Sequence, residues 1–439
     1  MRTSRGPAAP LCVALSISAA VAACATAPGG GRPSFANEEE ERKAGESAFG
    51  PAVEEALGRA GDARLQAFVG SVGRKLASAS PRPGLPWEFV VVNAGYDLSF
   101  VLPGGEAAVS RGLLARLYTE DQLAALLAHE VAHVVARHTA RAWGQARPLA
   151  GALGSGSLAA AVEGTGPRAL ERLAALAGAG QRLVPLRYTP AEEREADEIG
   201  LDLLVKAGYA PDGLAGLLEI LEKARAAEPE RVAPLLASHP LRSGRTATAR
   251  RRAEAADASE RARPATADEF ARRTRRLKAE APAFEVAFEA EAALVVNDPR
   301  KAAVKYAEAA RLAPLQAVLP ALQATALLAA GEDEGGRGAA AGALAVDPDL
   351  VLARLAAGLA AFRLGSFREA IDQLTAAEAA AGGARPPSSY LIGLAHERLG
   401  EAAKAAERYR LVVAGRGEDT ADATRRLEGL SAAASVPAP

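Results

Sequence analysis

The chain of 439 residues contains five histidines, and two of them stand four apart in His129-Glu130-Val131-Ala132-His133. On a helix, residues four apart lie one above the other, so both imidazoles can reach one metal ion. Glu130 is turned about 100° away from His129. That angle keeps its carboxylate off the metal but near a water held there, where a general base belongs. Two imidazoles are one donor short, because a catalytic zinc site takes three protein ligands and keeps one position open. His138, nine residues beyond His129, falls about 180° round the same helix and faces away. It reads as a structural histidine bonded to a neighbouring backbone carbonyl. Ala136 and Thr139 stand where a longer HExxHxxGxxH pattern would carry its glycine and third histidine, so the missing ligand comes from elsewhere.

A second cluster offers carboxylates: Glu192, Glu193, Glu195, Asp197 and Glu198. Glu193 and Asp197 are four apart and share one helix face. The first could complete a two-histidine, one-glutamate site while Asp197 holds an imidazole in one tautomer from behind. Spacing alone leaves Glu192, Glu195 and Glu198 in competition.

Both clusters need rigid helices, and the sequence marks where each begins. Thr119-Glu120-Asp121-Gln122 is a capping box opening a helix expected to run to about Trp143. Thr189-Pro190-Ala191-Glu192 is another, with proline at the first helical position. Upstream, residues 38–76 have helical spacing and residues 87–92 (WEFVVV) are β-rich. Residues 98–102 and 107–110 read as short strands joined through Pro103-Gly104-Gly105. The Gly/Ala-rich stretch 148–187 gives no clear assignment.

With 52 Lys+Arg against 53 Asp+Glu, no global charge favours nucleic acid. A hydrophobic fraction of 49% excludes wholesale disorder. That fraction is mostly Ala and Leu, which pack most readily as helices. Residues 240–279 hold 12 Lys/Arg against 5 Asp/Glu and read as a solvated basic linker helix, or as a surface for an anionic partner or lipid headgroups.

The first 23 residues read as a signal peptide, with Arg2 and Arg5 before a short apolar stretch. Val21-Ala22-Ala23-Cys24 resembles the bacterial lipobox, which implies acylation of Cys24 after cleavage and a membrane anchor on a flexible tether, residues 24–36. Ala25 rather than an aspartate after the cysteine points to the outer membrane. Loss of Cys12 with the leader leaves one thiol and no internal disulfide. Past the leader there is no run of 18 apolar residues.

The C-terminal third repeats. Pro314 and Pro348 are 34 residues apart, and Gly331, Gly365 and Gly400 follow at spacings of 34 and 35. Ala302, Ala370 and Ala405 take the small position where paired helices cross; Tyr306, Leu374 and Tyr409 take the large position four residues on. This resembles tetratricopeptide repeats, about four over residues 283–425, with the poorest match where Gly336 and Gly338 interrupt an expected helix. A basic helical linker at 256–282 would precede them and a disordered tail at 426–439 would follow. The concave face of such a stack implies a protein partner.

The histidine pair followed by Glu193-x-x-Ala196-Asp197 resembles the gluzincin peptidases related to HtpX and the CAAX prenyl proteases. Leu102-Pro103-Gly104-Gly105, Gly112-Leu113-Leu114 and Ala207-Gly208-Tyr209 match that family too, whereas Leu98-Ser99 stand before Phe100 where it usually has Asn-Ala. The resemblance implies a mainly α zincin-like domain with a small β-sheet over residues 37–255, followed by the all-α repeats. It implies one Zn²⁺ per chain, held by His129, His133 and Glu193 with Asp197 behind, and Glu130 as base. Ser238-His239-Pro240 with Arg245 resembles a further family motif near the metal. His239 or Arg245 would stabilise the oxyanion, or His239 would fill the fourth zinc position and hold the enzyme latent. Phe100, Val101 and Leu102 would present a strand edge to an extended substrate. The expected function is a lipid-anchored periplasmic metalloendopeptidase acting on unfolded or misassembled envelope proteins, with no nucleic-acid partner. Its competitor is a catalytically silent lipoprotein scaffold or chaperone working through its repeats.

Overall fold

The computed structural model describes residues 35, 37–143, 186–256, 267–381, 386–415 and 420–434. The leader, Cys24, most of the tether and nearly all of the Gly/Ala-rich stretch lie outside the described residues. Among those described, no helix is long and apolar enough to cross a membrane.

Two acidic-to-basic links fix the entry of the chain. Helix α1 (Glu38–Glu55) opens on Asn37, whose side chain accepts from Glu40 N. Arg82 donates to Glu38 and to the buried Glu41, and also to the carbonyl of Val134. Helix α2 (Ala63–Ala79) is capped by Asp62 and turns Leu65, Phe68, Val69, Val72 and Leu76 to one side. Strands β1 (Glu88–Val92), β2 (Ser99–Val101) and β3 (Glu106–Ser110) form one sheet in the order β1-β3-β2. β1 runs parallel to β3, with Glu88 opposite Glu106, and β2 runs antiparallel to it, with Phe100 opposite Ala108. The continuous apolar run of β1 follows from burial on both faces. Phe89 and Val91 join the core with α2, while Val90 and Val92 pack beneath Phe49 and Val53 of α1. β2, paired only with β3, is the edge nearer the site.

Helices α3 (Arg111–Arg116) and α4 (Glu120–Val135) follow, then α5 (Pro190–Lys206), α6 (Asp212–Ala227), α7 (Pro229–Ser238) and α8 (Arg245–Glu254). Both capping boxes form, at Thr119/Gln122 and at Thr189/Glu192. Helix α4 is shorter than its sequence suggests. Arg137 takes a left-handed conformation (φ 58°) and ends it, and residues 138–143 form a separate helical stretch. Gly200 of α5 passes α4 so closely that a Cβ there would sit 3.3 Å from His129 N. A small residue at this crossing lets the two chemical clusters meet.

Helix α9 (Ala267–Val295) contains the second half of the basic stretch, and it is not simply solvated. Phe270 and Leu277 are buried in the peptidase core, Phe270 edge-on to Phe68 of α2, and Lys278 donates to the Leu117 carbonyl. Buried Arg111 bridges Glu280 of α9 and Gln316, in the turn before Val318. Helical pairs follow: α10 (Pro299–Leu312), α11 (Val318–Ala329), α12 (Asp333–Val346), α13 (Val351–Arg363), α14 (Phe367–Ala380), α15 (Pro386–Arg398), α16 (Ala402–Gly415) and α17 (Thr420–Ala434). These paired helices are consistent with a repeat region. Gly331, Gly365 and Gly400 have positive φ in the turns, and Ala302, Ala370, Ala405, Tyr306, Leu374 and Tyr409 are fully buried. In the poorly matching unit the second helix is continuous: Gly336 stands at the small crossing position, against Leu328, and Ala340 at the large one.

Candidate metal centre

Four side chains converge inside the protein: His129 and His133 of α4, Glu193 of α5 and His239, the residue that closes α7. One potential donor atom from each lies within 4.8 Å of all the others, and all four residues are buried. The two α4 imidazoles bring their Nε2 atoms to 3.1 Å. Glu193 places Oε2 3.6 Å from His129 Nε2 and Oε1 3.4 Å from His133 Nε2. Two donors bound tetrahedrally at about 2.0–2.1 Å stand roughly 3.3 Å apart, so these separations suit ligands aimed at one zinc ion. The donor set of imidazoles and one carboxylate is also the set zinc prefers.

His239 arrives by a different route. The end of α7 is held by a backbone bond from His239 N to Leu235 O, and Tyr188 N donates to the Ser238 carbonyl. His239 Nδ1 thereby lies 3.1 Å from Glu193 Oε1 and its Nε2 3.5 Å from Glu130 Oε1. Tyr188 stacks on the His133 ring at 3.7 Å.

Burial works against every charge here, yet charges persist because they face one another. For Glu193, His239 and His129 outweigh burial and hold the carboxyl well below its usual range. Burial would depress His129, but the facing carboxylates of Asp197 and Glu193 prevail and raise it to about 10. Burial wins at His133 and pushes it well down, so that ring is neutral. An ionised Glu193 and a neutral His133 are the states a metal requires, and a metal would displace the proton from His129.

The surrounding residues sort by contact. Asp197 Oδ1 lies 3.1 Å from His129 Nδ1, close enough to attract it though not aligned as a hydrogen bond. Arg245 is taken up by carboxylates and a backbone carbonyl. It donates to both Asp197 oxygens at 2.8 Å, to Glu193 Oε2 at 2.6 Å and to the Pro240 carbonyl. Glu130 lies off the cluster, and Ser99 Oγ donates to its Oε1 at 2.6 Å. The other oxygen, Oε2, is buried with no hydrogen-bond partner. Phe100 and Val101 lie in β2 and Leu102 directly after it; Phe100 is half-buried, edge-on to Phe49.

His138 departs from its sequence reading. It neither faces away nor bonds a backbone carbonyl: its Nδ1 is 3.0 Å from His133 Nδ1, and its Nε2 is 3.1 Å from Glu195 Oε2. The helical-phase argument assumed α4 continued to Trp143, and the left-handed Arg137 resets that phase. Ser99 and Tyr188 were also missed as site residues. The departure from Asn-Ala before Phe100 was a signal for the first, and nothing in the sequence marked the second.

A helix-borne histidine pair with an intervening glutamate, completed by a glutamate from a second helix against a small sheet, defines a metallopeptidase domain of the gluzincin class. Residues 63–253 match the model of peptidase family M48, so this part of the chain is an M48 peptidase domain. It is 36% identical over 200 residues to the beta-barrel assembly-enhancing protease of Escherichia coli K12, covering 44% of this chain and 39% of that relative. The corresponding protein of Yersinia pestis is 32% identical over 200 residues, covering 44% and 40%. The mitochondrial metalloendopeptidase OMA1 of Schizosaccharomyces pombe is 31% identical over 179 residues, covering 39% and 50%. The match thus spans about two-fifths of the length of the bacterial relatives.

Proposed function

We propose that this protein is a zinc-dependent endopeptidase of the bacterial cell envelope, anchored by an acylated Cys24 and acting on unfolded or misassembled envelope proteins. The convergence of His129, His133 and Glu193, with Glu130 beside them but turned aside, carries this reading. Zinc supplies Lewis acidity, which makes water easier to deprotonate and a peptide carbonyl easier to attack. Glu130 takes the proton of the attacking water, through the oxygen that Ser99 leaves free, and returns it to the departing amine. Asp197 and Arg245 act as positioning residues: Arg245 fastens the carboxylates of Glu193 and Asp197 to each other, and Asp197 backs His129. An extended substrate adds to the β2 edge along Phe100, Val101 and Leu102, a mode that reads backbone more than side chains and suits misfolded clients. The name of the bacterial relatives supports an envelope client, and the paired helices offer a surface for a protein partner.

His239 is placed as a fourth donor, a position that keeps the centre latent until the ring withdraws. His239→Ala therefore raises the casein hydrolysis rate; a fall would identify His239 as an oxyanion donor instead.

The decisive experiment measures metal content and casein hydrolysis of the purified chain beside Glu130→Gln. We expect about one zinc per chain in both and a rate lower by about 10²–10⁴-fold in the variant. Equal rates would leave the anchored scaffold as the function. Release of Cys24→Ala into the soluble envelope fraction tests the anchor.

A further inference from the structure

We infer that His138 and Glu195 are positioning residues that support the metal centre from behind, holding His133 by a hydrogen-bonded chain that ends at the protein surface. This inference rests on the zinc reading of the cluster. It concerns residues outside the donor set.

The two α4 histidines both direct Nε2 into the cluster, which leaves each with an outward Nδ1. For His129 that nitrogen faces Asp197. For His133 it faces no carboxylate; it faces His138 Nδ1 at 3.0 Å, and His138 Nε2 in turn meets Glu195 Oε2 at 3.1 Å. Hydrogen-bond chemistry then fixes every direction. An imidazole that gives its Nε2 lone pair to a metal carries its proton on Nδ1, so His133 Nδ1 donates. His138 Nδ1 must accept, which places the His138 proton on Nε2, and Glu195 accepts it. No other arrangement satisfies both short contacts once His133 is a ligand.

The support is built as well as aligned. His133 and His138 are both fully buried, whereas the side chain of Glu195 is 57% exposed. Tyr188 covers the His133 ring face, which leaves rotation about the ring axis to be stopped by His138. The left-handed Arg137 turns the chain so that the histidine after it lies beside α4 rather than beyond its end. Arg141, three residues on, donates to its own Ala136 carbonyl and to Glu192, tying the short helical stretch to α5. Helix α5 thus supplies Glu193 to the cluster, Asp197 to one imidazole and Glu195, through His138, to the other. Partners that orient a ligating histidine typically contribute about 10–100-fold to metal affinity.

The test is competition of the full chain with a chromophoric chelator for zinc, for wild type, His138→Leu, His138→Asn and Glu195→Gln. Asparagine keeps an acceptor where Nδ1 stands; leucine removes it at similar volume. We expect His138→Leu to bind zinc about 10–100-fold more weakly and His138→Asn to recover most of the loss, with Glu195→Gln in between. In the zinc-loaded protein, NMR should show a hydrogen-bonded His133 Nδ1 proton in wild type and His138→Asn that vanishes in His138→Leu. A packing role alone would not produce rescue by the smaller, polar asparagine. Zinc affinity of folded His138→Leu within about twofold of wild type would overturn the inference. If the leucine variant does not fold, Glu195→Gln decides: weaker binding supports the chain and unchanged binding refutes it. A wild-type protein that holds no stoichiometric zinc would strike the function itself, a result distinct from both.

Discussion

Helix α4 and helix α13 are both sealed into the protein, and they differ in what they seal. Every residue of α4 from Leu123 to Val134 is buried, and among them are His129, Glu130 and His133. The buried residues of α13 are Val, Leu, Ala, Gly and Phe alone. Burying an ionisable group costs free energy unless a partner compensates, so α4 is stable only because α5 and α7 bring compensating groups to it. α13 needs nothing from its neighbours but shape. The contrast separates two kinds of sensitivity: a conservative change in the first region removes chemistry, whereas in the second it removes only stability.

The sharpest challenge to that division is Glu193→Gln. The amide has the same size, but it cannot balance His129 or serve as an anionic donor. Casein hydrolysis should fall by at least about 10²-fold, with zinc lost on mild chelation, because a ligand and the counter-charge go together. Thermal stability without zinc should fall as well, because buried Arg245 and His129 lose a counter-charge. Full activity with bound zinc would mean that another acid of α5 completes the site.

The array supplies the opposite case in Gly358→Val. A Cβ at Gly358 would stand 2.6 Å from Leu374 Cγ, where α13 crosses α14. Neither helix can move without disturbing the next, so the overpacking should destabilise the array by about 1–3 kcal/mol. Guanidinium unfolding followed by circular dichroism reads this as an earlier transition. The casein rate per folded molecule should not change. A change would show that the array is coupled to the centre.

The difference between the regions also governs what the sequence could reveal. Periodic features were legible: the 34-residue spacing located Gly331, Gly365 and Gly400 in their turns, and two capping boxes located the helices carrying the histidines and carboxylates. These are local rules, satisfied within a few residues. The resemblance to a known family selected Glu193 among competing acids, and the cluster geometry agrees. Hidden features depended on a single backbone angle or a contact distant in sequence. Arg137 at positive φ breaks a pattern that remains apolar and helical in sequence, and that one residue moved His138 from an outer face to the back of His133. The Ser99 to Glu130 bond joins positions 31 apart through the fold. Gly336, read as an interruption, marks a tight helix crossing.

Glu106 tests what the peptidase region does with a buried carboxyl that, unlike Glu41, is paired with no cation among the described residues. Its carboxyl lies beneath α1 against Gly45 and Gly104, with Oε2 buried and unpartnered. Burial, with Glu88 and Glu46 adding repulsion and Arg42 opposing it, raises Glu106 from 4.5 to about 7. The folded protein therefore keeps this proton between pH 4.5 and 7, where the unfolded chain gives it up. Because the folded state then binds more protons, this group's contribution to stability is greatest at acid pH and declines as pH rises to about 7, after which it is constant. Glu106→Gln should flatten the stability profile over that interval and raise the melting temperature at pH 8. The gain should be modest, and casein hydrolysis should be unaltered. A melting temperature that instead falls at pH 8 would assign the ionised carboxylate a stabilising contact with α1. Glu106 would then serve structure as Glu41 and Arg111 do, and the contrast with the array would narrow to the cluster around His129.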